Sequence, residues 1–138
     1  MANVFSGISK LNRVDNVELI EILRRLLRSS LSTIYYQADT SAAGITAYAT
    51  GGQSGATQLS AVRNRVDTVA SANASVKPVI SASIGFRQYV YNNGANDLDY
   101  YPYLGNNILG QAANTPVTIA PGNVLAVYCF VKGELTII

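Results

Sequence analysis

The chain has no histidine and a single cysteine, Cys129. Without histidine, the commonest general base and the commonest metal ligand are both missing. A Cys/His nucleophile pair and a His/Cys zinc cluster are excluded, and one cysteine cannot form an internal disulfide. Charge is scarce too: Asp, Glu, Lys and Arg make up 13% of the residues, about half the usual share. The net charge of +2 does not indicate a non-specific nucleic-acid binder. No run approaches the roughly 18 apolar residues of a membrane span, and the N-terminus does not read as a signal peptide. A reducing cytoplasm is the expected folding compartment. Gly51-Gly52 and Gly55 lack a following Lys-Ser/Thr, so they do not form a phosphate loop. The sequence predicts no catalytic residue, no metal and no cofactor.

What remains is small and apolar, with 49% hydrophobic residues in 138. A chain of this kind hides surface against neighbours, or else is a well-packed monomer with a Ser/Thr/Asn/Gln surface. Three regions are expected. Residues 1–36 read as an arm and a helix, 37–56 as a Gly/Ser/Thr/Ala-rich linker or loose strand, and 57–138 as a β-domain. In the arm, Val4, Phe5 and Ile8 are candidate anchors. The helix runs from Asp15 to about Ser32, with Asp15 as cap and Glu18 three residues on. Ile20, Leu23, Leu27, Leu31 and Ile34 recur at spacings of three and four, which sets an apolar stripe on one face. That stripe packs either on the β-domain or on copies of the chain and a larger partner. Arg24, Arg25 and Arg28 fall in the later turns, where positive charge suits the helix dipole.

β-Prone runs follow at 57–62, 66–70, 76–82, 86–91, 98–103, 116–120, 124–131 and 134–138. Short strands separated by Gly, Pro and Asn predict an antiparallel β-sandwich or small β-barrel. No repeat of about 20–50 residues is visible. Asn92-Asn93-Gly94 and Pro121-Gly122 are expected to supply the backbone angles of tight turns. Cys129 lies in the apolar run 124–131 and is expected to be a buried, inert thiol. Asp97 and Asp99 are two apart, a spacing that suits a carboxylate pair, but the turn-rich context favours solvated loop carboxylates. The apolar ending Leu135, Ile137 and Ile138 should be paired within the sheet or covered by a neighbouring subunit. Tyrosine is the abundant special residue. Tyr89, Tyr91 and Tyr128 read as strand filling, while Tyr100, Tyr101 and Tyr103 are candidates for ligand or subunit contact.

Tyr91 to Gly122 carries a set of turn words: Asn92, Gly94, Ala95, Asn96, Leu98, Tyr101, Pro102, Gly105, Ile108, Gly110, Ala113, Asn114, Ile119, Ala120 and Gly122. Upstream, Gly55-Ala56-Thr57-Gln58-Leu59 and Asn64, Val66, Thr68, Val69 and Ala70 precede them. In this order the words resemble a β-domain of virion structural proteins of tailed bacteriophages, over about residues 55–131. Lys77-Pro78 stands where that pattern has Leu-Pro, and Asp97 and Asp99 are additional departures. The resemblance implies a non-enzymatic virion part, assembled in the host cytoplasm. The leading expectation is a capsid decoration (cement) protein, a homotrimer bound to the major capsid protein. Its interface would use Val4, Phe5, Ile8, the helix stripe and the apolar C-terminus. The alternatives are a fibre knob that binds host glycan and a tail adaptor beside tail or fibre proteins. No specific nucleic acid and no membrane is expected as a partner.

Overall fold

The computed structural model describes residues 19–25, 39–50 and 52–138. The chain divides into two compact units, Met1–Ile34 and Tyr35–Ile138. In the first, residues 19–25 are helical, within the predicted helix. Glu21 lies 3.9 Å from Arg24 and 3.8 Å from Arg25, one turn on. Such exposed pairs add a few tenths of a kcal/mol at most, about 0.3–0.5.

The second unit has ten strands: β1 (Ser41–Thr46), β2 (Thr57–Leu59), β3 (Arg63–Thr68), β4 (Ala74–Pro78), β5 (Arg87–Asn92), β6 (Leu98–Tyr100), β7 (Asn107–Ile108), β8 (Val117–Ile119), β9 (Val124–Val131) and β10 (Glu134–Ile137). They form two sheets, one in the order β1-β3-β5-β9-β10-β7 and the other β2-β4-β6-β8. From β1 to β6 the chain alternates between the sheets, and each strand pairs in parallel with the one two places earlier. This winding is a β-solenoid of about four turns. The expected antiparallel sandwich or barrel is therefore corrected. Apolar alternation and turn residues look alike whether a strand pairs with its sequence neighbour or with the next coil, so the pattern could not distinguish them. The repeat was hidden because the coils are unequal: Ser41 pairs with Arg63, but Arg63 with Tyr89.

The last coil runs the other way. β8 is antiparallel to β6, and β9 is antiparallel to β5. The chain thus visits the second sheet before the first and circles the same core in the opposite sense. Pro121-Gly122 makes the reversal between β8 and β9. Asn123 N–H donates to the Ala120 carbonyl at 3.1 Å, and Gly122 has φ +79°, the angle a type II turn demands at its third residue. β10 then folds back on β9, and β7 pairs with it in parallel, extending the first sheet beyond the coils.

The core lies between the sheets. β3, β5 and β9 alternate inward and outward, so Val66, Val90, Leu125 and Val127 meet Leu59, Val76, Leu98 and Ile119. Burying each such side chain contributes about 1.5–3 kcal/mol. Cys129 is buried as expected, with its thiol 3.1 Å from the Val131 carbonyl. Burial pushes its pKa up, consistent with a low thiolate population.

Asparagine side chains stitch the corners. Asn92 Nδ2 donates to the Asn96 and Ile119 carbonyls, and its Oδ1 accepts from Gly94 N–H. Asn96 Nδ2 donates to the Val69 carbonyl of the preceding coil. Gly94 is needed here for closeness rather than for positive φ. A Cβ on it would lie 2.6 Å from Val69 Cγ2 and 2.9 Å from Val69 N. Gly94→Ala should therefore destabilise the fold by about 1–3 kcal/mol. The check is a lower urea midpoint at unchanged slope.

Of segment 37–56, read as linker or loose strand, residues 41–46 form β1 and residues 52–54 cover the second sheet. Ser75 Oγ donates to the Gly52 carbonyl, and Lys77 Nζ to the carbonyls of Gln53 and Ser54. Gln53 Nε2 reaches the Pro102 carbonyl and Asn114 Oδ1. Outward side chains of β4 thus hold residues 52–54 against that sheet. The outer face of the first sheet has no such cover among the described residues.

Candidate functional site

That bare face carries the candidate site. β1 contributes Ser41, Ala42 and Ala43, whose small side chains leave a floor. β3 contributes Arg63 and Arg65, β5 Tyr89 and Tyr91, and β9 Val124. These line a groove of about 580 Å³. Parallel register builds it in rows: Ser41, Arg63 and Tyr89 stand side by side, and Arg65, Tyr91 and Val124 form the next row.

The arginines are held by acids. Arg63 Nη1 pairs with Asp39, and the Arg63 guanidinium lies 5.8 Å from the centre of the Tyr89 ring. Arg65 donates through Nε to Asp67 Oδ1 at 2.8 Å. Asp67 also accepts from Asn93 Nδ2 at 2.7 Å and from Gly44 N–H at 2.6 Å. The hydrogen bond from Asn93, then that from Arg65, holds the Asp67 carboxyl below the usual range. The hydrogen bond from Arg63 does the same for Asp39. Arg65 is thus fixed through Nε, and its two terminal nitrogens have no partner among the described residues. Asn64 Nδ2 donates to the Ala61 carbonyl beneath the floor, while its buried Oδ1 has no hydrogen-bond partner among the described residues.

The arrangement offers aromatic faces, fixed N–H donors and the hydroxyls of Ser41, Tyr89 and Tyr91. Such a set of groups suits the binding of a polar ring. Among the described residues no group of three His, Cys, Asp or Glu side chains could hold a metal ion. No described helix is long and apolar enough to cross a membrane.

The predicted contact residues divide. Tyr100 is fully buried and is corrected from surface contact to core. Its alternate position on β6 points it between the sheets, where its hydroxyl donates to Gln88 Oε1 at 2.9 Å. Tyr101 is half-buried and Tyr103 exposed, and neither lines the groove. Leu135 is likewise in the core rather than at an interface, because β10 turns it inward. Ile137 and Ile138 are exposed, as are Ile20 and Leu23. Val4, Phe5, Ile8, Leu27, Leu31 and Ile34 lie outside the described residues. Asp97 is exposed, but Asp99 is buried on β6 and accepts from Thr118 Oγ1 at 2.9 Å. It is a strand residue, not the solvated loop carboxylate expected.

Tyr89 and Tyr91, read as strand filling, are the residues that line the groove. A signal was present: Arg63-Asn64-Arg65 and Arg87-Gln88-Tyr89-Val90-Tyr91 each alternate large polar or aromatic residues with core residues. Only the parallel register brings the two series together. No family model, curated protein or solved structure matches the chain.

Burial pushes the Tyr100 phenol far above its ordinary 10.0. Above that pH the unfolded chain loses the proton while the folded chain keeps it, so stability falls as pH rises. The slope approaches about 1.4 kcal/mol per pH unit from this residue alone. Tyr100→Phe should flatten that alkaline limb. It should also lower neutral stability by about 1–3 kcal/mol, because Gln88 Oε1 loses its donor. Urea melts of both proteins between pH 7 and 11 measure the two effects.

Proposed function

We propose that the chain is a non-enzymatic structural protein of a tailed-bacteriophage virion, acting as a decoration protein on the capsid. It binds the assembled lattice at the seams between capsomers, as a homotrimer against the major capsid protein. The resemblance of residues 55–131 to virion β-domains supports the virion assignment. The observation that carries the docking role is the helix at 19–25. Leu19, Ile20, Ile22 and Leu23 are each about half exposed there, an apolar surface that an assembly would cover. Exposed Ile137 and Ile138 offer a second such surface.

A decoration protein that binds the lattice and not free subunits raises shell stability by mass action. Particles lacking the protein should release DNA at a lower temperature than decorated ones. Leu19→Ser with Leu23→Ser should leave the β-solenoid folded and abolish decoration. Thermal DNA-release assays and sedimentation of particles with added protein test both points. Equal heat resistance with and without the protein rejects the role.

The groove favours a second reading, a glycan-binding knob of a tail or head fibre. Tyrosine faces beside fixed arginines are suited to sugar rings and their substituents.

A further inference from the structure

We propose that the groove on the outer face of the first sheet binds an acidic sugar, with the ring stacked on Tyr91 and its carboxylate held by Arg65. This deepens the glycan-binding reading and does not depend on the decoration role.

Four observations lead to this ligand. First, Arg65 and Tyr91 are direct register partners, with Val124 on the far side of Tyr91. A ring lying on Tyr91 therefore has a guanidinium at one edge and an apolar side chain at the other. Tyr89 is less available, because the Arg63 guanidinium sits over it. Second, Arg65 is oriented in advance. Asp67 takes its Nε and is itself held by Asn93 and Gly44, which leaves the terminal nitrogens to form the planar fork that fits a carboxylate. Third, the floor is open. Ala42 and Ala43 place no bulk beside the Arg65–Tyr91 row, and the Ser41 hydroxyl stands in the adjoining row.

Fourth, the charge is small. Arg63 and Arg65 line the groove, and each is already paired with a carboxylate, Asp39 and Asp67. Two such cations are too few for a nucleic acid, whose binding needs several phosphates neutralised together.

The test is titration of the full chain at low salt, followed by amide chemical shifts. The probes are a galacturonic acid trisaccharide and 3′-sialyllactose, with lactose as the neutral control. At least one acidic probe should bind at ~1 mM or tighter. Shifts should centre on Ala42, Ala43, Arg65 and Tyr91. Arg65→Gln and Tyr91→Ala should each weaken that binding about tenfold or more, while Lys132→Gln, away from the groove, leaves it unchanged. Circular dichroism confirms that the variants remain folded. The proposal is overturned if neither acidic probe binds, if lactose binds equally well, if shifts centre elsewhere, or if a short single-stranded DNA binds the groove more tightly. Any of these leaves the particle-stability experiment to decide the decoration role separately.

Discussion

Gln88 lies between the two sheets, closed off from water, and each end of its amide holds a different part of the winding. Its Nε2 donates at 3.1 Å to the carbonyls of Leu59 and Ala61, at the corner between β2 and β3. Its Oε1 accepts from Tyr100 on the opposite sheet. An unpaired amide here would be costly, so the whole set of contacts stands or falls together. The set also determines register. With Gln88 inward, Arg87, Tyr89 and Tyr91 must point outward, and a slip of one residue would turn that face into the core. The groove is therefore a consequence of a buried polar contact on the other side of the same strand.

The two outer faces have different fates for a simple reason. Ser75 and Lys77 on β4 offer hydrogen-bond donors, and residues 52–54 bring carbonyls to meet them. The second sheet is thereby covered. On the first sheet Arg63 and Arg65 are matched with Asp39 and Asp67, and no described segment crosses that face. The reversed last coil adds a further asymmetry. β8 and β9 end the parallel stacking, and β10 and β7 extend only the first sheet. A chain wound this way has a finished end beyond β9. On the opposite side, β1 has no strand partner other than β3 among the described residues.

The turn words between Tyr91 and Gly122 have clear mechanical roles. Asn92 and Asn96 tie corners of neighbouring coils, and Asn114 Oδ1 accepts from Gly105 N–H at 2.7 Å. Asn106 Oδ1 accepts from Ala82 N–H and Ser81 Oγ, joining the loop after β4 to the loop after β6. These residues describe how a coil closes. The two proposed readings rest instead on the exposed helix residues and on the bare sheet face.

From the sequence alone, the positions of most strands could be read, because alternation and turn chemistry are local. β9 falls on the expected run 124–131, and Cys129 is buried within it. The Pro121-Gly122 reversal was legible because a positive φ after proline is a property of a few bonds. Helical residues 19–25 were legible for the same kind of reason, the three-and-four spacing of Ile20 and Leu23. Tertiary structure alone decided how the strands pair, since period-two patterns are the same for parallel coils and antiparallel hairpins. It sent Tyr100 and Leu135 into the core, against the expectation of contact, because their place depends on which sheet lies opposite. It also brought Arg65 beside Tyr91. They are far apart in the chain, and only a register between stacked coils makes them neighbours.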